Sequence, residues 1–165
     1  MMPINDRNRT ENIYVEEQVG WIPVILSAVL ILFFSAAYFN RWGTNPIPLV
    51  GYVVITFILL SFLILFYRLR IEIDQQSIHI IFGIGIVHIR IEFDEILEVN
   101  AAKTSWYQGL GIRITSEGML YNIHGSGSVK ILYSKSRNKH TIQLGSANPN
   151  SLKEFLLLIK EKNVS

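Results

Sequence analysis

The chain has no cysteine among its 165 residues. That excludes disulfides, thiolate nucleophiles and cysteine-ligated metal centres, and it suits a reducing compartment. Charge is scarce as well: Asp, Glu, Lys and Arg make up 17% of the residues, while half are hydrophobic. The scarcity is local. No charged residue occurs from Gln18 to Asn40, and none from Trp42 to Tyr67. A helix rising about 1.5 Å per residue needs about 20 residues to cross about 30 Å of hydrocarbon. Both runs reach that length and predict transmembrane helices over residues 21–39 and 49–67, an α-helical hairpin. A cleavable signal peptide does not suit the first run, because Glu11, Glu16 and Glu17 precede it where a short basic start belongs.

Arginine and lysine set the expected orientation. Arg7 and Arg9 lie before the first helix and Arg68 and Arg70 follow the second, whereas the connector 40–48 carries only Arg41. This asymmetry places both termini in the cytoplasm of an inner membrane, with residues 1–20 as a cytoplasmic N-terminal segment. Trp21, Tyr38, Trp42, Tyr52 and Tyr67 fall near the expected interfaces, where amphipathic rings are favoured. Neither helix carries a persuasive small-xxx-small pair in mid-membrane, so a homo-oligomer held by the helices is open but unsupported by motif.

Residues 68–165 have another rhythm. "RLRIEID" alternates apolar and polar residues, and "SIHIIF", "VHIRIEF", "ILEVNA", "GIRIT", "MLYNI", "VKILY" and "TIQL" follow, separated by turn residues. Short strands at close spacing without intervening helices predict a mainly-β domain: an antiparallel barrel or sandwich of about seven strands. The period then changes. In "NPNSLKEFLLLIKEKN", Leu152, Phe155, Leu156 and Ile159 recur on one helical face, with Asn148 as N-cap and Pro149 at the first helical position. An amphipathic helix over residues 149–162 is expected to cap an apolar opening. Residues 68–165 carry 12 basic against 9 acidic residues, a net +3 without the concentrated basic face that nucleic acid requires.

The order of elements, with "IEFDEILEV", "WYQGLGIR" and "IQLGSANPNSL", resembles the bacterial pleckstrin-homology-like membrane proteins. The resemblance covers most of the chain and implies two transmembrane helices followed by a cytoplasmic pleckstrin-homology-like domain. It lends a fold and a location rather than an activity. Inositide-binding pleckstrin-homology domains carry basic residues in the loop joining their first two strands. Here that loop is Asp74–Gln76, without lysine or arginine, so inositol-phosphate binding is not implied.

Two groups of residues qualify as functional. The first is basic: Lys135, Arg137 and Lys139 at a hairpin tip, with Arg68 and Arg70 at the membrane exit, as contacts for anionic lipid. Solubilising a turn is the rival use of the same residues. The second is the corner formed by Trp106, Tyr107, Gly109, Gly111, Arg113 and Tyr121, either an interaction surface or the architecture of a β corner. A three-residue hairpin with Gly118 in the left-handed region would set Ile114 opposite Leu120 and Arg113 over the Tyr121 ring. The alternative is Arg113 as an anion contact.

Catalytic and metal readings are weaker. "HGSGS", His124–Ser128, lacks the spacing and the following helix of a nucleophile elbow. Asp94, Glu95 and Glu98 read as a solvated edge. A two-residue turn at Gly83-Ile84 would oppose His79 and His88, whereas a four-residue loop, Gly83–Ile86, pairs His79 with Arg90; neither supplies a third metal ligand. The expectation is therefore a non-enzymatic membrane protein with no cofactor, presenting its β domain to a protein partner, with anionic lipid or a small molecule as the alternative ligand.

Overall fold

The computed structural model describes residues 14–103, 111–116, 118–123 and 127–164. Its elements are β1 (Tyr14–Val19), α1 (Trp21–Phe39), α2 (Leu49–Phe66), β2 (Arg68–Ile73), β3 (Ser77–Phe82), β4 (Val87–Glu92), β5 (Glu95–Lys103), β6 (Gly111–Thr115), β7 (Gly118–Asn122), β8 (Gly127–Lys135), β9 (Asn138–Gly145) and α3 (Pro149–Val164).

The two helices arise where charge is missing, and both are long and apolar enough to cross a membrane. They pack as a hairpin, and no residue of α2 is buried within the protein. At the connector end Tyr38 and Tyr52 stack with centroids 4.6 Å apart, and Ser35 Oγ lies 3.1 Å from the Tyr52 hydroxyl. At the other end the hairpin joins the β domain through a single residue on each side, Gly20 and Tyr67. The Gly20 N–H donates to the Tyr67 carbonyl at 2.8 Å, tying the start of α1 to the end of α2.

The β domain is two sheets, not a closed barrel. One has the order β1-β2-β3-β4 and the other β5-β8-β9-β7-β6. After the helices come eight strands, where about seven were expected, and each matches one of the alternating runs. A ninth, β1, comes from the segment assigned to a separate N-terminal region, and it pairs antiparallel with β2 from Tyr14↔Ile73 to Val19↔Arg68. The sheets are also not purely antiparallel. The β8–β9 hairpin inserts between β5 and β7, which leaves β9 parallel to β7, with Met119↔Ile142 and Tyr121↔Leu144.

Alternation supplies the core. Leu69, Ile71 and Ile73 of β2, Ile78, Ile80 and Phe82 of β3, and Val129 and Ile131 of β8 all point inward. Leu152, Leu156 and Ile159 of α3 join them, as the helical period requires, and α3 packs against β5 and β8. The Tyr14 ring meets Phe155 at 5.4 Å, so α3 also reaches β1. The helix thus fills the sandwich on its β1/β5 side. On the opposite side β4 and β6 are edge strands without an outer neighbour among the described residues.

Candidate interaction site

That open side carries a cleft of about 640 Å³ between the sheets. Ile91 of β4 lines one wall; Ile114, Met119, Tyr121, Tyr133, His140 and Ile142 line the rest. The register explains the convergence. Ile131↔Ile142, Met119↔Ile142 and Ile114↔Met119 set Ile131, Ile142, Met119 and Ile114 in one row across β8, β9, β7 and β6, on the core face of the sheet, with Tyr133, His140 and Tyr121 two residues along on the same face. Inside the row Ile131 and Ile142 are buried and Met119 is half-buried. At the β6 edge the sheet outruns its cover, and Ile114 is 86% exposed. Burial pushes the phenols of Tyr121 and Tyr133 above the ordinary tyrosine range, with Tyr121 adding to the effect on Tyr133, so both stay neutral. The Tyr133 ring stacks on His140 with centroids 5.5 Å apart. Lys130, Lys139 and His140 edge the cleft, and no carboxylate does among the described lining residues. An apolar floor, a cationic rim and an edge strand are together suited to receiving an extended segment.

The residues singled out in the sequence divide across the domain. Trp106, Tyr107 and Gly109 lie outside the described residues, as do His124 and Ser126. Gly111 opens β6 at φ +88°, a conformation that favours glycine, with the Phe66 ring close to where a Cβ would stand. The strands pair Thr115 with Gly118, so the hairpin has two connecting residues rather than three. The register therefore slips by one: Ile114 faces Met119, and Arg113 faces Leu120, not Tyr121. The proposed Arg113–Tyr121 stacking is replaced by Ile112 opposite Tyr121. Lys139 and Tyr121, taken from different motifs, line the same cleft.

The basic residues do not form one face. Arg68 and Arg70 sit at the helix-proximal end and both engage Glu17, Arg70 Nη1 at 3.3 Å from Oε1 and Arg68 Nη1 at 3.8 Å from Oε2. The β8–β9 tip is at the opposite end. Ser128↔Gly145 is helix-proximal, since the Gln18 amide donates to the Gly145 carbonyl at 2.8 Å. Seven residues of strand at about 3.3 Å each put Asn138 about 23 Å further on. There Lys135 Nζ approaches Glu92 Oε2 at 3.5 Å, and the Ser136 N–H donates to Asp94 Oδ2 at 2.7 Å. Asp94 is exposed, as expected of a solvated edge, and it also anchors the hairpin.

The histidines give a mixed result. Val87 follows a four-residue loop and His79 pairs with Arg90. Yet the rings of His79 and His88 meet diagonally, Nδ1 to Nε2 at 2.9 Å. His79 Nε2 lies 3.0 Å from Ser77 Oγ, whose hydroxyl donates to Asp74 Oδ2 at 2.7 Å. A serine that is buried and gives its proton to an aspartate is a poor nucleophile, and no group of three metal-binding side chains occurs among the described residues. The cluster closes the β2–β3 turn. Sequence reasoning missed the cleft because Ile91, Tyr133 and His140 become neighbours of Ile114 only through sheet order. No protein-family model matches this chain, and no curated protein is significantly similar to it.

Proposed function

We propose that this is a non-enzymatic inner-membrane protein that binds a protein partner through the open side of its β domain, with both termini in the cytoplasm. The observation that carries the reading is the β6 edge, without an outer neighbour among the described residues, bordering a partly apolar cleft of about 640 Å³. A partner segment adding as a strand beside β6 would satisfy the edge backbone groups, and its alternate apolar side chains would cover Ile114. The lysines Lys130 and Lys139 at the rim favour a segment carrying carboxylates. Two helices fit to span a bilayer, joined to the domain without a linker, would hold this edge at a fixed distance from the membrane, as a scaffold requires. The arginine distribution around the helices supports the orientation. The pleckstrin-homology-like reading is supported by the element order and the closing helix, while the parallel β7–β9 pair departs from a simple antiparallel version of it.

The test is crosslinking of tagged full-length protein in its native membranes, comparing wild type with Ile114→Asp. Ile114 is solvent-facing, so the substitution is expected to leave stability within about 0.5 kcal/mol and to abolish a specific adduct. An adduct pattern unchanged by Ile114→Asp would remove the cleft from the reading.

A further inference from the structure

The β3–β4 loop, Gly83–Ile86, is a tight turn that should be polar by the ordinary logic of surface loops. It reads Gly-Ile-Gly-Ile, and Ile84 and Ile86 are 63% and 64% exposed. Its position is fixed from both sides. The Gly83 N–H donates to the Arg68 carbonyl at 2.7 Å and the Gly85 N–H to the Phe82 carbonyl at 3.0 Å. Gly83 adopts φ +60° against the last turn of α2, so close that a Cβ would collide with the Ile64 carbonyl oxygen. The loop therefore rides alongside Ile64–Phe66 instead of standing off beneath the helix end. Arg68, its Cζ 5.8 Å from the centroid of the Tyr67 ring, marks the polar boundary at the same level. Across the helix ends Ile112 and Ile123 form an apolar crevice with Phe62 and Phe66. The apolar surface of the helices thus continues onto the β domain.

We infer that Ile84 and Ile86 insert into the lipid beside the end of α2, so that the β3–β4 loop is a third membrane attachment of the protein. The inference rests on the membrane reading of α1 and α2. The occupant is lipid rather than a protein surface, because the two isoleucines continue the exposed apolar surface of α2 and the loop carries no charge to pair with a partner. With three attachments the β domain cannot pivot about the hairpin, and the β4 and β6 edges are held at a set height.

The absence of cysteine makes the test clean. Single-cysteine variants Ile84→Cys, Ile86→Cys, Ile58→Cys in mid-α2 and Arg137→Cys at the distal tip, each in the full-length chain, are labelled with a nitroxide. They are then reconstituted into phosphatidylcholine–phosphatidylglycerol vesicles. Collision with oxygen, enriched in lipid, is compared with collision with a water-soluble nickel chelate. The labels at residues 84 and 86 are expected to match residue 58, with high oxygen and low nickel accessibility, while residue 137 shows the reverse. If residues 84 and 86 match 137 while 58 reads lipid, the inference is overturned and the membrane reading stands. Shielding of 84 and 86 from both probes means protein contact and also overturns it. If residue 58 itself reads water, the membrane reading fails and takes the inference with it.

Discussion

At Ser136 and Arg137 the backbone enters the left-handed region at two consecutive non-glycine residues, φ 51° and 69°. A two-residue hairpin with matching twist requires this conformation, and side chains make it costly by about 1 kcal/mol per residue. The contacts of Asp94 with Ser136 and of Glu92 with Lys135 hold the turn in place. Arg137→Gly is therefore expected to stabilise the protein by about 1 kcal/mol, read as a higher midpoint of thermal unfolding in detergent. Asp74 gives a second residue-scale prediction. Burial pushes its carboxyl up. The N–H groups of Gln76 and Ser77, the Ser77 hydroxyl and nearby His79 outweigh that and hold it below the ordinary 3.8. A depressed carboxylate stabilises the fold above its unfolded-state value and loses that contribution as pH falls through the folded-state value. Asp74→Asn should lower the midpoint at pH 7, and the gap from wild type should narrow as the pH approaches 3. Roles at this scale were partly legible. Gly111 was recognised as a constrained position, but the Arg113 pairing was misplaced because one connecting residue more or less shifts every cross-strand neighbour.

Among the elements, β1 was invisible to hydrophobic patterning for a reason its burial makes plain. Its outward residues are Val15, Glu17 and Val19, and its inward ones include Glu16 and Gln18. The strand is held by polar contacts. Glu16 accepts from the Ser146 hydroxyl at 2.7 Å and the Tyr14 hydroxyl at 2.7 Å, and takes the Ala147 N–H as well. These bonds tie β1 to the turn before α3, and burial together with Glu16 raises the Tyr14 hydroxyl well above the ordinary tyrosine value. Glu16→Ala should cost about 2 kcal/mol, since hydrogen bonds to a charged group contribute more than neutral ones. It should also expose the start of β1 to limited proteolysis before the rest of the domain opens. Leu156→Ala, which empties a fully buried site under α3, should cost about 2–5 kcal/mol in chemical denaturation. That helix was legible from its period, cap and leading proline, because all three are local signals.

The whole molecule has an axis that the sequence did not reveal. Runs without charge locate the hairpin, but the sequence cannot say which strand ends lie near it. That follows from antiparallel pairing away from Arg68, which sends the β8–β9 tip to the far end and returns Gly83–Ile86 to the helices. Closure was illegible for a similar reason. Alternating strands suit a barrel or a sandwich equally, and only the strand order of the two sheets leaves β4 and β6 as edges among the described residues. The most direct measurement is amide hydrogen exchange of residues 111–115 in full-length protein, comparing native-membrane nanodiscs with purified protein in detergent. The account predicts fast exchange in detergent and marked protection in native nanodiscs, confined to β6 and the cleft rows of β7 and β9. Equal exchange in both, or protection appearing at the β8–β9 tip instead, would contradict a partner strand at the β6 edge.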